Sequence, residues 1–300
     1  MIEPVQKNDD FVKDFHDADK VSGAIHVWWL GLSTILIKWD GLGLLIDPYL
    51  SDSISRERAG TDNPATRISE PVVDPLKLDG IDIVLCSSAD PDRFDSETIL
   101  PLRAANPNLK VVVPAGIAAE AERKLGAAGP AVLSVNAGTY TSVGPFSFHG
   151  INAACPKIRR DADGNSLDLG YVLLFGQFSI YYSGKTIWHQ NLIKEVRRWP
   201  LNLTFLPING GVEESDTLNG FEAAALSKAI STSLVIPCHY DVFEENNPST
   251  EEFDVSCKRL ATRHRIMKLG QRMTMGPVTD PSAGKAPPSE EYNDDWKLGY

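Results

Sequence analysis

The stretch "AIHVWWLGLSTILIKWDGLGLLIDPYL", residues 24–50, decides the fold. It holds three strand-length apolar runs, separated by glycine and by the Asp40-Gly41 pair. Short runs rich in β-branched and aromatic residues, punctuated by Gly and Asp-Gly, read as strands joined by turns. The stretch is therefore an antiparallel meander that ends at Asp47.

Before the meander, residues 1–22 read as a polar lead-in with one amphipathic turn carrying Phe11 and Phe15. After it, residues 52–77 are polar and proline-containing without a period, which suits an ordered loop or flap. The pattern changes from residue 82. A strand (82–86), a helix (96–104), the strand "LKVVVP" and the helix "GIAAEAERKLGAAG" follow in βαβα order. Strands return over 131–183. Then come a helix over 190–199, the strand "LTFLPI", the helix "GFEAAALSKAIST", the strand "SLVIPC", a helix over 250–261 and a last strand near 264–269. Two β-rich halves, each with strands and βα units, make an α/β chain.

The bulk properties bound the function. A chain of 300 residues with 42% hydrophobic content can bury a substantial core. The formal net charge of −11, with no basic stripe, argues against nucleic acid as a partner. Small anionic ligands remain open, because they respond to the local field. The four cysteines (Cys86, Cys155, Cys238, Cys257) show no paired spacing, which fits a reducing compartment. The N-terminus is not a signal peptide. No apolar run approaches the ~18 residues of a membrane span. These features predict a soluble cytoplasmic protein without a membrane partner.

The stretch "DIVLCSSADPDRFDSETIL", residues 82–100, carries the candidate chemistry. A buried strand leads into a loop holding Asp90, Asp92, Arg93 and Asp95, with no histidine. Loops at the C-terminal ends of strands are where α/β proteins place their sites.

The stretch "WWLGLSTILIKWDGLGLLIDPYLSDS" resembles the opening of the metallo-β-lactamase-fold hydrolases, nearest to the group of L-ascorbate-6-phosphate lactonase. The likeness continues through "VVPAGIAAEAERKLG", "DADGNSLDLGYVL", "IYYSGKTIW", "LPINGG", "LNGFEAAALS" and "VIPCHYDVF", over roughly residues 24–270. It implies an α/β, αββα sandwich with the site along one edge of two sheets. It also implies one domain over 23–272 between the lead-in and a C-terminal tail over 273–300.

Such proteins hold one or two divalent metals through a His-x-His-x-Asp-His loop, a later lone His, a bridging Asp and a final His. The ions make hydroxide from a bound water for attack on a lactone, amide or phosphoester. Carried onto this chain, the loop positions fall on Ser88, Asp90, Asp92 and Arg93. The lone His position falls on Cys155, the bridging Asp on Lys185 and the final His on His239. Only Asp92 and His239 keep the implied types, so two of seven positions match. Asp47 and Asp95 resemble supporting positions.

At these positions Asp90 and Asp92 contribute −2, and Arg93 and Lys185 contribute +2. The pocket is balanced without a metal. Lys185 would point where cations sit in such proteins, repel a divalent ion and pair with Asp90 or Asp92. The expectation is a salt-bridged pocket with no metal cofactor. The fallback is one zinc or manganese on Asp90, Asp92, His239 and Cys155.

Each residue also has a structural reading. Asp95, more than Asp92, suits the N-cap of the helix starting near Ser96. His239 suits a satisfied buried histidine, and Cys155 a small buried hydrophobe or, more sharply, a thiolate activated by Lys185 or Arg93. His149 shares strand parity with Cys155. Trp188 and His189 follow the "SGKT" turn, where relatives place substrate-facing residues, and Asn209 lies in a glycine-flanked loop beside the pocket.

The leading expectation is a non-hydrolytic protein that binds a small anionic molecule through Arg93 and Lys185, or serves as a homologous partner subunit or homo-oligomer. The aromatic tail residues Tyr292, Trp296 and Tyr300 hint at the latter. The alternative is an active hydrolase of a lactone, amide or phosphoester using one metal or none.

Overall fold

The computed structural model describes residues 1–211, 216–245 and 247–276. The tail residues 277–300, with Tyr292, Trp296 and Tyr300, lie outside the described residues. The described helices are α1 (Asn8–Asp17), α2 (Ser53–Arg58), α3 (Ser96–Ala105), α4 (Ala118–Leu125), α5 (Leu192–Arg197), α6 (Gly220–Ala229) and α7 (Thr250–Arg259). None is long and apolar enough to cross a membrane.

The meander folds as read: β1 (Ile25–Trp29), β2 (Ile35–Trp39) and β3 (Leu42–Ile46) pair antiparallel. Parallel strands β4 (Ile83–Leu85), β5 (Lys110–Pro114) and β6 (Ala131–Val135) extend that sheet through βα units. The second sheet holds β7 (Tyr140–Val143), β8 (Phe146–Asn152), β9 (Leu169–Phe175), β10 (Phe178–Tyr182), β11 (Leu203–Pro207) and β12 (Val235–Cys238), in the order β12-β11-β10-β9-β8-β7. Its half at β7–β10 is antiparallel and its half at β10–β12 parallel, as in the first sheet. Strand β13 (Arg272–Met275) closes the outer edge of the first sheet against β1.

The sheets pack face to face. Trp39 of the first meets Phe146 and Phe175 of the second, at ring separations of 6.0 and 5.4 Å. The expected αββα sandwich is the fold.

Three local readings change. The last strand is not at 264–269: His264 makes only an isolated bridge to Val235, and Ile266, Met267 and Leu269 pack on the core from an irregular connection. The strand forms later, where Arg272 to Met275 meet the open edge of β1. The helix expected over 190–199 is α5, six residues long, and it stops ahead of Trp199 and Pro200. The flap over 52–77 contains α2 and a short 3-10 turn at Pro75–Lys77.

The lead-in is more than polar chain. Phe11 and Phe15 lie one helical turn apart, so α1 buries both on one face. Their rings meet Trp28 edge-on at 6.2 and 5.6 Å. The indole N–H of Trp28 donates to Asp14 Oδ2 at 2.9 Å, and Lys38 Nζ donates to the Phe15 carbonyl at 3.1 Å. On this account Phe15→Ala will lower unfolding stability by about 3–5 kcal/mol, read from a urea melt.

His149, on β8, is packed between Tyr140 (5.0 Å) and Trp199 (4.7 Å). Burial, helped by the Arg198 charge, pushes its imidazole down to about 4. The unfolded chain, with an ordinary histidine near 6.5, takes up the proton first as pH falls. Stability is therefore complete above about pH 6.5 and declines toward pH 4. His149→Phe should flatten the melting temperature between those pH values.

Candidate functional site

The C-terminal ends of β3, β4, β10, β11 and β12 open on the same edge of the sandwich. There a cleft of about 290 Å³ is lined by Asp92, Lys185, Asn209, Asp216 and His239, with apolar walls that include Leu32 and Val242.

Beneath the cleft lies a buried network. Arg93 is 1% exposed, and its Nη1 donates to Asp47 Oδ2 at 2.8 Å and to Tyr182 Oη at 3.1 Å. Asp47 also accepts from the Ser87 backbone N–H (2.7 Å), the Ser87 hydroxyl (2.6 Å) and the Tyr182 hydroxyl. Burial pushes the Asp47 carboxyl up, against the pull of Arg93, Ser87 and Tyr182. Arg93 Nε stands 3.9 Å from Asp92 Oδ2.

Asp92 is the layer between network and cleft. Its Oδ2 meets His239 Nε2 at 3.1 Å. Burial works to raise the Asp92 carboxyl, but Arg93, His239 and Lys185 together hold it well below the usual carboxylate range. His239 leaves the end of β12 with a φ of +70°, its N–H donating to the Leu32 carbonyl at 2.7 Å. Leu32 itself has a φ of +46°. Non-glycine residues in that region cost of order 1–3 kcal/mol.

Lys185 follows the Ser183-Gly184 turn. Gly184 has a φ of +63°, and a Cβ there would lie 2.4 Å from the Leu169 carbonyl oxygen, so only glycine fits the turn that aims Lys185. Lys185 Nζ sits 2.6 Å from Asp216 Oδ2 and 3.4 Å from Asp90 Oδ2. Burial opposes its charge, but these carboxylates keep the ammonium above its ordinary range. Asp216 is a partner that sequence reasoning missed. Its one signal was an acidic run after "LPINGG". Gly210 lets the backbone beside Asp216 approach closely: a Cβ there would lie 2.2 Å from the Thr217 carbonyl oxygen.

The remaining candidates separate. Asn209 lines the cleft, is 9% exposed, and leaves its Oδ1 without a partner among the described residues. Ser88 is buried and its hydroxyl accepts from the Asp90 N–H at 3.2 Å. Cys155 Sγ faces Asp216 Oδ2 at 3.7 Å. Burial pushes its thiol up to about 11 despite Lys185, so it is not the activated thiolate envisaged. Trp188 is 36% exposed and stands outside the cleft, as does His189, whose Nε2 meets the Asn152 carbonyl at 3.1 Å. Asp95 caps α3 by accepting from the Glu97 N–H at 3.2 Å, while Asp92 does not cap.

Residues 26–239 match the family described as the beta-lactamase superfamily domain. A UPF0173 metal-dependent hydrolase of Hyperthermus butylicus is 24% identical over 247 residues, which cover 78% of this chain and 94% of that protein. The isothiocyanate hydrolase from Delia radicum gut bacteria superposes with a TM-score of 0.67 at 14% identity, covering 84% of this chain and 100% of that one. Igni18, a metallo hydrolase of Ignicoccus hospitalis, superposes with a TM-score of 0.62 at 17% identity, covering 84% and 98%. At these identities the two structures bear on the fold alone.

The side chains present here do not fit a divalent ion. The Lys185 ammonium lies between Asp216 and Asp90, and the Arg93 guanidinium stands beside Asp92. An entering cation would meet these fixed positive charges at a repulsion of order 4 kcal/mol per unit charge pair at about 4 Å. Among the described residues no three His, Cys, Asp or Glu side chains are grouped to hold a metal.

The network beneath the cleft has a measurable strength. Asp47→Ala strands the buried Arg93 charge, which should cost about 3–5 kcal/mol and lower the melting temperature far more than Asp216→Ala at the exposed rim.

Proposed function

The chain belongs to the β-lactamase superfamily, and from that premise we propose that its cleft is a metal-independent small-molecule site. The observation that carries this is the place of Lys185 Nζ, 2.6 Å from Asp216 and 3.4 Å from Asp90. A fixed ammonium there supplies the positive charge that the surrounding carboxylates require. It needs no cofactor to be stable, and it repels one.

The same geometry bears on the ligand. The expectation of an anion relied on Arg93 and Lys185 together. Arg93 is sealed under the cleft and engaged by Asp47, and Lys185 already faces two carboxylates. Asp92, Asp216 and Glu245 line the opening. An uncharged ligand is therefore favoured over a phosphate or a carboxylate, with Leu32, Ile54 and Val242 offering apolar contact.

Mass spectrometry of untagged protein, purified without chelator and then incubated with zinc, manganese or iron, tests the reading. The expected metal content is near zero in every case. A stoichiometry near one, lost in His239→Ala, would overturn it and put a metal-dependent hydrolase in its place.

A further inference from the structure

We propose that residues 54–65, at the start of the flap, form a lid that lifts as a unit to open the cleft and closes over what the cleft holds. The lid rests on the cleft being a small-molecule site, whatever its metal content.

The two ends of this segment are fixed and tied to each other. Upstream, the Leu50 N–H donates to the Thr98 hydroxyl at 2.9 Å. Downstream, the Ile68 N–H donates to the Val242 carbonyl at 2.8 Å, and the Ile68 carbonyl accepts from the Ile2 N–H at 2.6 Å. Arg67 joins the ends. Its guanidinium donates to the Ser51 carbonyl at 2.8 Å, pairs with Asp52 at 3.3 Å and lies over the rings of Tyr49 and Phe243. Thr66 gives its N–H and its hydroxyl to the two Glu245 oxygens, at 2.6 and 2.8 Å. A stretch strung between ends held together in this way has the form of a compact surface loop.

Between those clamps little holds the segment down. Within 54–65 only Ile54 and Ala65 are buried. Both enter a satellite cluster with Leu32, Tyr49 and Val242, separate from the main core. Among the described residues, the polar ties to the body are the Ile54 N–H to the Tyr49 hydroxyl at 3.1 Å and an exposed ion pair of Arg56 with Glu97. Exposed ion pairs hold weakly. The Ser55 hydroxyl donates to the Ala65 carbonyl at 2.7 Å, which closes the segment on itself. Few buried apolar contacts and internal hydrogen bonds are the marks of a unit that opens ahead of global unfolding.

The anchors are also cleft wall. Ile54 and Ala65 line the cleft with Asp92, Lys185 and His239, and the same segment adds Arg58 to that lining. Lifting Ile54 and Ala65 off Leu32 and Val242 therefore opens the cleft along the side they cover. A ligand touching both adds contacts that exist only in the closed state, and so draws the lid down.

Hydrogen exchange of the full chain in EDTA, read by mass spectrometry over a series of low urea concentrations, tests the lid. Amides of 54–65 should exchange through an opening that urea below the unfolding transition does not accelerate, while those of β2 and β3 follow global unfolding. Phe15→Ala, which lowers global stability, should speed exchange in β2 and β3 and leave the lid unchanged. Ile54→Ser removes the larger anchor and should speed lid exchange by about tenfold or more. Carbethoxylation of His239 by diethyl pyrocarbonate, also in EDTA, reads access to the cleft. It should rise by a similar factor in Ile54→Ser, with the exposed His16 unchanged. Lid amides that accelerate with those of β2 and β3, in urea or in Phe15→Ala, have no opening of their own and overturn the proposal. Faster lid exchange in Ile54→Ser with His239 labelling unchanged also overturns it, because the segment then moves without gating the cleft. A metal found in the untreated protein would overturn the metal-free reading alone, since both lid measurements are made in EDTA.

Discussion

Asp47 leaves the end of β3 with a φ of +41° and sets its carboxylate between the two sheets. There it receives Ser87 from the loop after β4, Arg93 from the next turn and Tyr182 from β10 of the opposite sheet. A charge at this depth is tolerable only because it is fully hydrogen-bonded and faces a guanidinium. Everything above depends on that arrangement. Arg93 can stand under Asp92 only because Asp47 holds its far end. Arg93 in turn helps His239 and Lys185 keep Asp92 ionised against its burial.

The cleft thus has two tiers of charge. The lower tier is sealed and structural: Asp47, Arg93 and Tyr182. The upper tier faces solvent: Asp92 with His239, and Lys185 with Asp90 and Asp216. Relatives of this chain carry the name metal-dependent hydrolase. Here Lys185 is a cation that arrives with the chain, tethered and unable to leave. A tethered ammonium can polarise a carbonyl, but unlike a metal ion it cannot offer an open coordination position to water.

Much of the fold was legible because it is local. The Asp40-Gly41 turn, the apolar runs of β1–β3 and the βα alternation from residue 82 are short-range patterns. The loop at 87–95 was placed by its position after β4, and the salt-bridged character of the pocket by the charges of Asp90, Arg93 and Lys185. What escaped was tertiary. Asp216 is 31 residues from Lys185, and no local pattern reveals the close backbone approach of Gly210 to the neighbouring Thr217. Arg93 read as a ligand-facing cation, because no local pattern reveals that Asp47 and Tyr182 wait beneath it. The packing of α1 was half visible. Phe11 and Phe15 marked an amphipathic turn, but their partner Trp28 lies across a strand.

Strand β13 gives the molecule a kinetic signature. Residues 272–275 complete the first sheet by pairing with residues 25–28, nearly 250 positions earlier. Loop closure over such a span is entropically slow. During synthesis the outer edge of β1 is exposed until that late segment leaves the ribosome. The meander must spend this interval with an open flank of unpaired backbone groups, which invites pairing with another chain. The helix α1, which packs Phe11 and Phe15 onto Trp28 of that same strand, is made before the strand itself. It is thus available as an early intramolecular cover for the strand that has longest to wait.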